Sequence, residues 1–168
     1  MTHAILGAIA LAAALLAAGP VRAAPMTSRS LILKPFVLTK LDDLSFGTLI
    51  PSGRDEVVQI NADTGKRTMS NEVMRVNSDE GHRARFASSG LLNNLVLLKL
   101  DGPRNLVNPA GNLLRVNHLK LDQNDKIVRQ LSLTSQVFFV GVGGEIAIRS
   151  NQEEGVYTGT FTLTATYL

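Results

Sequence analysis

Between Tyr157 and Tyr167 every second residue is apolar or small (Tyr157, Gly159, Phe161, Leu163, Ala165, Tyr167), and every residue between them is threonine. A period of two with β-branched residues on one side fits a half-buried strand and makes no helical stripe. It predicts a strand over residues 156–167 with one face toward a core. Past the first two dozen residues no stretch shows a 3.6-residue period. Short β-rich runs alternate with turn clusters at about the 8 to 12 residue spacing of all-β domains. The predicted strands are 31–41, 44–49, 57–61, 68–76, 83–88, 95–100, 114–121, 126–133, 136–149 and 156–167. Clusters such as Pro51-Ser52-Gly53, Asp63-Thr64-Gly65 and Asn108-Pro109-Ala110-Gly111 separate them. Gly supplies positive φ there, Asp and Asn bond their own backbone, and Pro fixes φ. Pro35 demotes the first run to an edge strand or a bulge. Gly141, Gly143 and Gly144 predict a bulge, or a bend where the strand crosses between sheets. The expected fold is all-β: a single antiparallel β-sandwich.

The N-terminus reads differently. Residues 4–19 are an apolar run of 16, rich in Ala and Leu, followed by Pro20-Val21-Arg22-Ala23-Ala24-Pro25. The run is shorter than a bilayer span and leads into small residues, the pattern of a secretory signal peptide over residues 1–23. Val21 and Ala23 suit the −3 and −1 positions, which puts cleavage between Ala23 and Ala24. An uncleaved membrane anchor is the competing reading, because Met1-Thr2-His3 carries no Lys or Arg. Cleavage leaves an arm at 24–34 and a sandwich domain at 35–168, in the periplasm or at the cell surface and without stable membrane insertion.

With no cysteine in the sequence, an exported chain of this kind depends on packing and backbone pairing rather than on disulfides. Loss of Arg22 lowers the formal charge from +3 to +2. The basic residues are scattered and there is no Trp, whereas a nucleic-acid surface wants a basic stripe with aromatic platforms. Nucleic acid is therefore not an expected partner.

Three stretches carry a resemblance: "LSFGTLIPSG" at 44–53, introduced by "PFVLTKLDD"; "RARFASSG" at 83–90; and "VFFVGVGGEIAI" at 137–148 paired with "NQEEGVYTGTFTLTATY" at 151–167. "LRVNHL" at 114–119 adds a weaker match. Together they resemble an exported bacterial family of domains of unknown function. Its members begin L-x-F-G-T-[IL]-x-P and end G-x-Y-x-G-T-[FY]-x-V-T-x-x-Y. That family is similar to spore-coat-protein-U-like domains and to subunits of archaic chaperone–usher pili.

The resemblance implies an immunoglobulin-like, pilin-like sandwich that lacks one edge strand. A periplasmic chaperone, and then the N-terminal extension of a neighbouring subunit, would supply it by β-strand addition. Tyr157, Gly159, Phe161, Leu163, Ala165 and Tyr167 would then pair with the partner strand, with Phe46, Phe86 and Phe161 as core anchors. A missing strand uncovers about five apolar side chains at roughly 1.5–3 kcal/mol each. The sum, on the order of 10 kcal/mol, rivals the stability of a small domain. The arm is a poor donor, since "APMTSRS" offers only Met26 of any size. It is compatible with a self-complementing strand, or with a terminal or minor subunit.

Nothing in the sequence marks a catalytic, cofactor or metal site. His82 and His118 lack metal-ligand spacing and have no Cys beside them. Asp122-Gln123-Asn124-Asp125 lacks the Gly and Glu of a calcium loop and reads as a hairpin turn. The acidic pairs Asp42-Asp43, Asp55-Glu56, Asp79-Glu80 and Glu153-Glu154 are neighbours, which on a strand point to opposite faces. Gly141-Val142-Gly143-Gly144 precedes strand rather than helix, unlike a phosphate cradle, and no Ser lies in G-x-S-x-G. The expectation is a non-enzyme without cofactor. A self-contained secreted binding module for carbohydrate or protein, its site in the end loops, is the alternative.

Overall fold

A computed structural model describes residues 36–70, 74–75, 79–89, 93–131 and 137–168. All fall in one compact unit, Leu33–Leu168. The signal peptide, its cleavage point at Ala23 and Ala24, the arm at 24–34 and Pro35 lie outside the described residues. No helix among those described is long and apolar enough to cross a membrane.

The strands follow in the order β1 (Val37–Asp42), β2 (Leu49–Ile50), β3 (Glu56–Ile60), β4 (Arg67–Met69), β5 (Met74–Arg75), β6 (Ala84–Ser89), β7 (Leu95–Asp101), β8 (Asn105–Val107), β9 (Leu113–Leu121), β10 (Val128–Gln130), β11 (Val137–Ile148) and β12 (Thr162–Tyr167). Every pairing is antiparallel, and the strands make two facing layers. The larger sheet is organised on β11. Along one edge β11 pairs with β6 and then with β3, while its second half pairs with β9 on the other edge; Val142 faces Ala84 on one side and Leu121 on the other. β1 extends this sheet beyond β6, β4 beyond β3 and β8 beyond β9. The smaller sheet runs β10-β7-β12, and β2 pairs with β5 apart from both. The path β1-β6-β11-β9 against β7-β12 is the A-B-E-D against C-F order of an immunoglobulin sandwich.

Alternation explains the core. Ala84, Phe86, Val140 and Val142 of the larger sheet meet Val96 and Leu98 of the smaller one, with Leu121 and Leu131 beside them. A second cluster, Val58, Leu114, Val116, Ile146 and Ile148, lies on the other half of the larger sheet. Phe46, Leu49, Leu106 and Tyr157 pack against it.

Two expectations are corrected. β11 does not cross between sheets at its glycines; it stays in the larger sheet for its whole length. The glycines permit close approach instead: a Cβ on Gly143 would stand 2.2 Å from the Ile60 carbonyl oxygen, and one on Gly141 would stand 2.5 Å from that of Ala62. The only irregularity of register against β9 falls later, between Glu145 and Ile146. Second, the final strand begins at Thr162 rather than 156. Thr158 instead exchanges backbone hydrogen bonds with Val107 of β8, in the larger sheet. The chain therefore changes sheets between Thr158 and Thr162. Gly159 passes so close to β8 that a Cβ would lie 2.7 Å from a Leu106 methyl. Inward parity persists through the crossing, with Tyr157 on the second cluster and Phe161 on the first.

Candidate functional site

β12 is an edge strand. Its register on β7 pairs Leu163 with Leu100, Ala165 with Leu98 and Tyr167 with Val96. The Leu168 amide donates to the Leu95 carbonyl at 3.0 Å, which makes 168/95 a hydrogen-bonded pair. Such pairs recur at every second residue in an antiparallel ladder. Residues 162, 164 and 166 therefore bond toward β7, and the N–H and C=O of Leu163 and Ala165 point to the far edge. No strand among the described residues lies there. The inward side chains of β12 are half-buried rather than buried, while their register partners Val96 and Leu98 on β7 are 0% and 1% exposed.

The opposite lip is β1, the edge of the larger sheet. Phe36 and Leu38 pack on the same core as Phe161, Leu163, Ala165 and Tyr167. Phe36 touches Tyr167 edge-on, with centroids 5.7 Å apart, and stands 5.9 Å from Phe138. At the other end Phe86 meets Phe161 at 6.1 Å. β1 and β12 thus border one seam in the sandwich, with no strand between them among the described residues.

Of the six residues predicted to pair with a partner strand, Leu163, Ala165 and Tyr167 lie on β12, and Phe161 adjoins it. Tyr157 and Gly159 do not reach the seam. The Tyr157 hydroxyl donates to the Glu153 carbonyl at 2.7 Å and accepts from Gln152 at 2.8 Å. A tyrosine bonded back to the backbone just before strand F is a mark of immunoglobulin sandwiches, and it independently places β12 in position F. Phe36 and Leu38 were legible as strand residues, but alternation does not say which other strand a lip will face.

The Phe46-Gly47-Thr48 motif forms an interlock away from the seam. Ser45 and His82 exchange backbone hydrogen bonds at 2.8 and 2.9 Å. The Thr48 hydroxyl donates to the Asp79 carboxylate at 2.8 Å. The buried Arg67 guanidinium donates to the carbonyls of Phe46, at 2.9 Å, and Asp79, at 3.2 Å. Arg67 and Asp79 carried no signal in the sequence, because their partners lie 12 to 31 residues away.

The family model described as Domain of unknown function (DUF4402) matches residues 36–167. The matched stretch opens on Phe36 and closes on Tyr167, the two rings in contact across the seam. The chain belongs to that family. No curated protein matches it. No solved structure does.

Within this DUF4402 domain the remaining candidates are dispersed. His118 Nδ1 stands 4.0 Å from Glu145, and the His82 ring faces the Arg83 carbonyl at 3.3 Å. Among the described residues no three His, Cys, Asp or Glu side chains gather as metal ligands would. Asp42 pairs with Arg85 and Asp43 with Lys40. Asp55 accepts the Ser150 amide at 2.8 Å, while Glu56 turns inward, 2% exposed, and takes the Ser52 hydroxyl. The expected hairpin at Asp122–Asp125 is corrected to a turn between sheets, since β9 lies in the larger sheet and β10 in the smaller; it winds left-handed, with φ of 56°, 58° and 60° at Gln123, Asn124 and Asp125. Beside it a polar trough of about 370 Å³ is lined by Gln59, Asn61, His118, Lys120, Asn124 and Asp125, among others.

Proposed function

We propose that the chain is an exported structural or surface-assembly protein, a pilin-like subunit that acts by β-strand complementation at the seam between β1 and β12. One observation carries the reading: among the described residues β12 is an edge strand whose inward side chains stay half-covered while Leu163 and Ala165 direct backbone donors and acceptors outward. An added strand satisfies both needs together, since main-chain bonds give affinity and alternate side chains fill the opening. It would occupy the position of strand G beside F in an immunoglobulin sandwich. The motif resemblance to spore-coat-U-like domains and archaic pilins supports the same partners: a periplasmic chaperone and neighbouring subunits. Delivery to the periplasm or cell surface belongs to this reading, and catalysis has no part in it.

The test is size-exclusion chromatography of residues 24–168, with and without a peptide copying residues 31–41. Uptake of the peptide together with a rise in melting temperature is the expected result, because a ligand of the folded state stabilises it by mass action. A stable monomer indifferent to any alternating apolar peptide overturns the proposal. That outcome would favour the second reading, a self-contained binding module, for which the trough beside Lys120 and Asn124 is the specific observation.

A further inference from the structure

We infer that Ala165 decides which strand the seam accepts, by making the one place where the incoming strand sets a large aliphatic side chain. The inference rests on the strand-complementation reading and adds to it the chemistry of the partner. Four side chains, Phe161, Leu163, Ala165 and Tyr167, follow one another along the inner side of the β12 lip, spaced about 6.7 Å apart at two residues of strand rise. Aromatic contacts mark both ends, Phe161 on the buried Phe86 of β6 and Tyr167 on Phe36. The ends are six residues, or about 20 Å, apart.

Between them stand Leu163 and Ala165, and only Ala165 is reduced to a methyl group. Ala165 pairs with Leu98 in the β7 register, and Leu38 of β1 packs against the same core cluster. An occupant that bonds the outward N–H and C=O of Leu163 and Ala165 must offer matching main-chain groups, so it is an extended peptide rather than a helix or an acyl chain. Side chains of such a peptide enter the seam at every second position. Those meeting the aromatic ends must be small, and the one beside Ala165 must be Leu, Ile or Val to fill the space that alanine leaves. Two large side chains at one level overpack, and two small ones leave a gap.

The experiment measures binding of labelled nine-residue alternating peptides to residues 24–168 by fluorescence anisotropy. The peptides differ only in their central inward residue, Leu or Ala. The wild-type chain is expected to prefer the Leu peptide about 10- to 100-fold, the worth of one buried aliphatic side chain. Ala165→Leu is expected to reverse the preference, taking the Ala peptide better than the Leu peptide. Thr164→Val, on the outward face, should leave both affinities unchanged. Equal binding of the two peptides by the wild-type chain overturns the role of Ala165 and leaves strand complementation standing. Binding of neither peptide overturns strand complementation and this inference with it. Should Ala165→Leu fail to fold, the peptide pair on the wild-type chain still decides.

Discussion

At Gly47 an ordinary side chain has nowhere to go. Its φ is +74°, and a Cβ would stand 2.4 Å from the Asp79 carbonyl oxygen and 2.6 Å from the Gly81 amide nitrogen. Both are backbone atoms that cannot swing aside. Gly81 is in the same position from the other side, since its own Cβ would meet the Ser45 carbonyl at 2.5 Å. Two glycines pressed together let Arg67 reach the carbonyls around them. Arg67 is thereby buried at 8% exposure, its Nη1 bonded to the Phe46 and Asp79 carbonyls in place of water. Gly47→Ala combines a disfavoured backbone with a backbone clash, and we expect a loss of about 2 kcal/mol or more. Urea unfolding of residues 24–168 checks this, and an unchanged midpoint would show that the interlock carries no stability. The Phe-Gly-Thr motif was visible in the sequence as a resemblance. Its physical meaning was not, because a close approach has two sides and Gly81, Asp79 and Arg67 supply the second.

At the scale of elements, the turn between β9 and β10 is held against its own backbone preference. Three consecutive non-glycine residues in the left-handed region cost roughly 1–2 kcal/mol each. Compensation comes from side chains clamped on the turn. Asp63 accepts the Gln123 amide at 2.6 Å, and Asp125 accepts the Leu121 amide at 2.9 Å. Arg129 bonds the Asp122 carbonyl at 3.0 Å as well as its carboxylate. The Arg129 side chain is 4% exposed and that of Asp122 is 14% exposed. Asp122→Asn leaves the buried guanidinium without its counter-charge, so a loss of about 3 kcal/mol is expected in thermal or urea unfolding. A change within a few tenths of that unit would mean the carboxylate is dispensable to the turn. "DQND" announced a turn through its composition, but nothing local foretold its hand. The handedness depends on Asp63, 60 residues from Gln123 in the chain.

For the whole molecule, the seam makes the sandwich depend on β12 in a way that a fully covered strand would not. β12 flanks Val96 and Leu98 of β7 with side chains that are themselves only half-buried. A chain shortened by residues 162–168 uncovers the flank of Val96 and Leu98 and leaves β7 as an edge. It should fail to persist as a soluble monomer, and a shortened chain that elutes as a folded monomer would refute the dependence. By itself the sequence determined the fold class and the inward parity of the last strand, because a period of two is a property of neighbouring residues and survives wherever the strand is placed. That is why Phe161, Leu163, Ala165 and Tyr167 point inward as read, even though the chain changes sheets beside Gly159. Only the tertiary structure decided that Phe36 and Leu38 form the opposing lip, that the β11 glycines admit a crossing backbone, and that Tyr157 serves the corner rather than the seam. Each of these depends on what lies across a gap from the residue, and close packing of distant segments leaves no periodic trace along the chain.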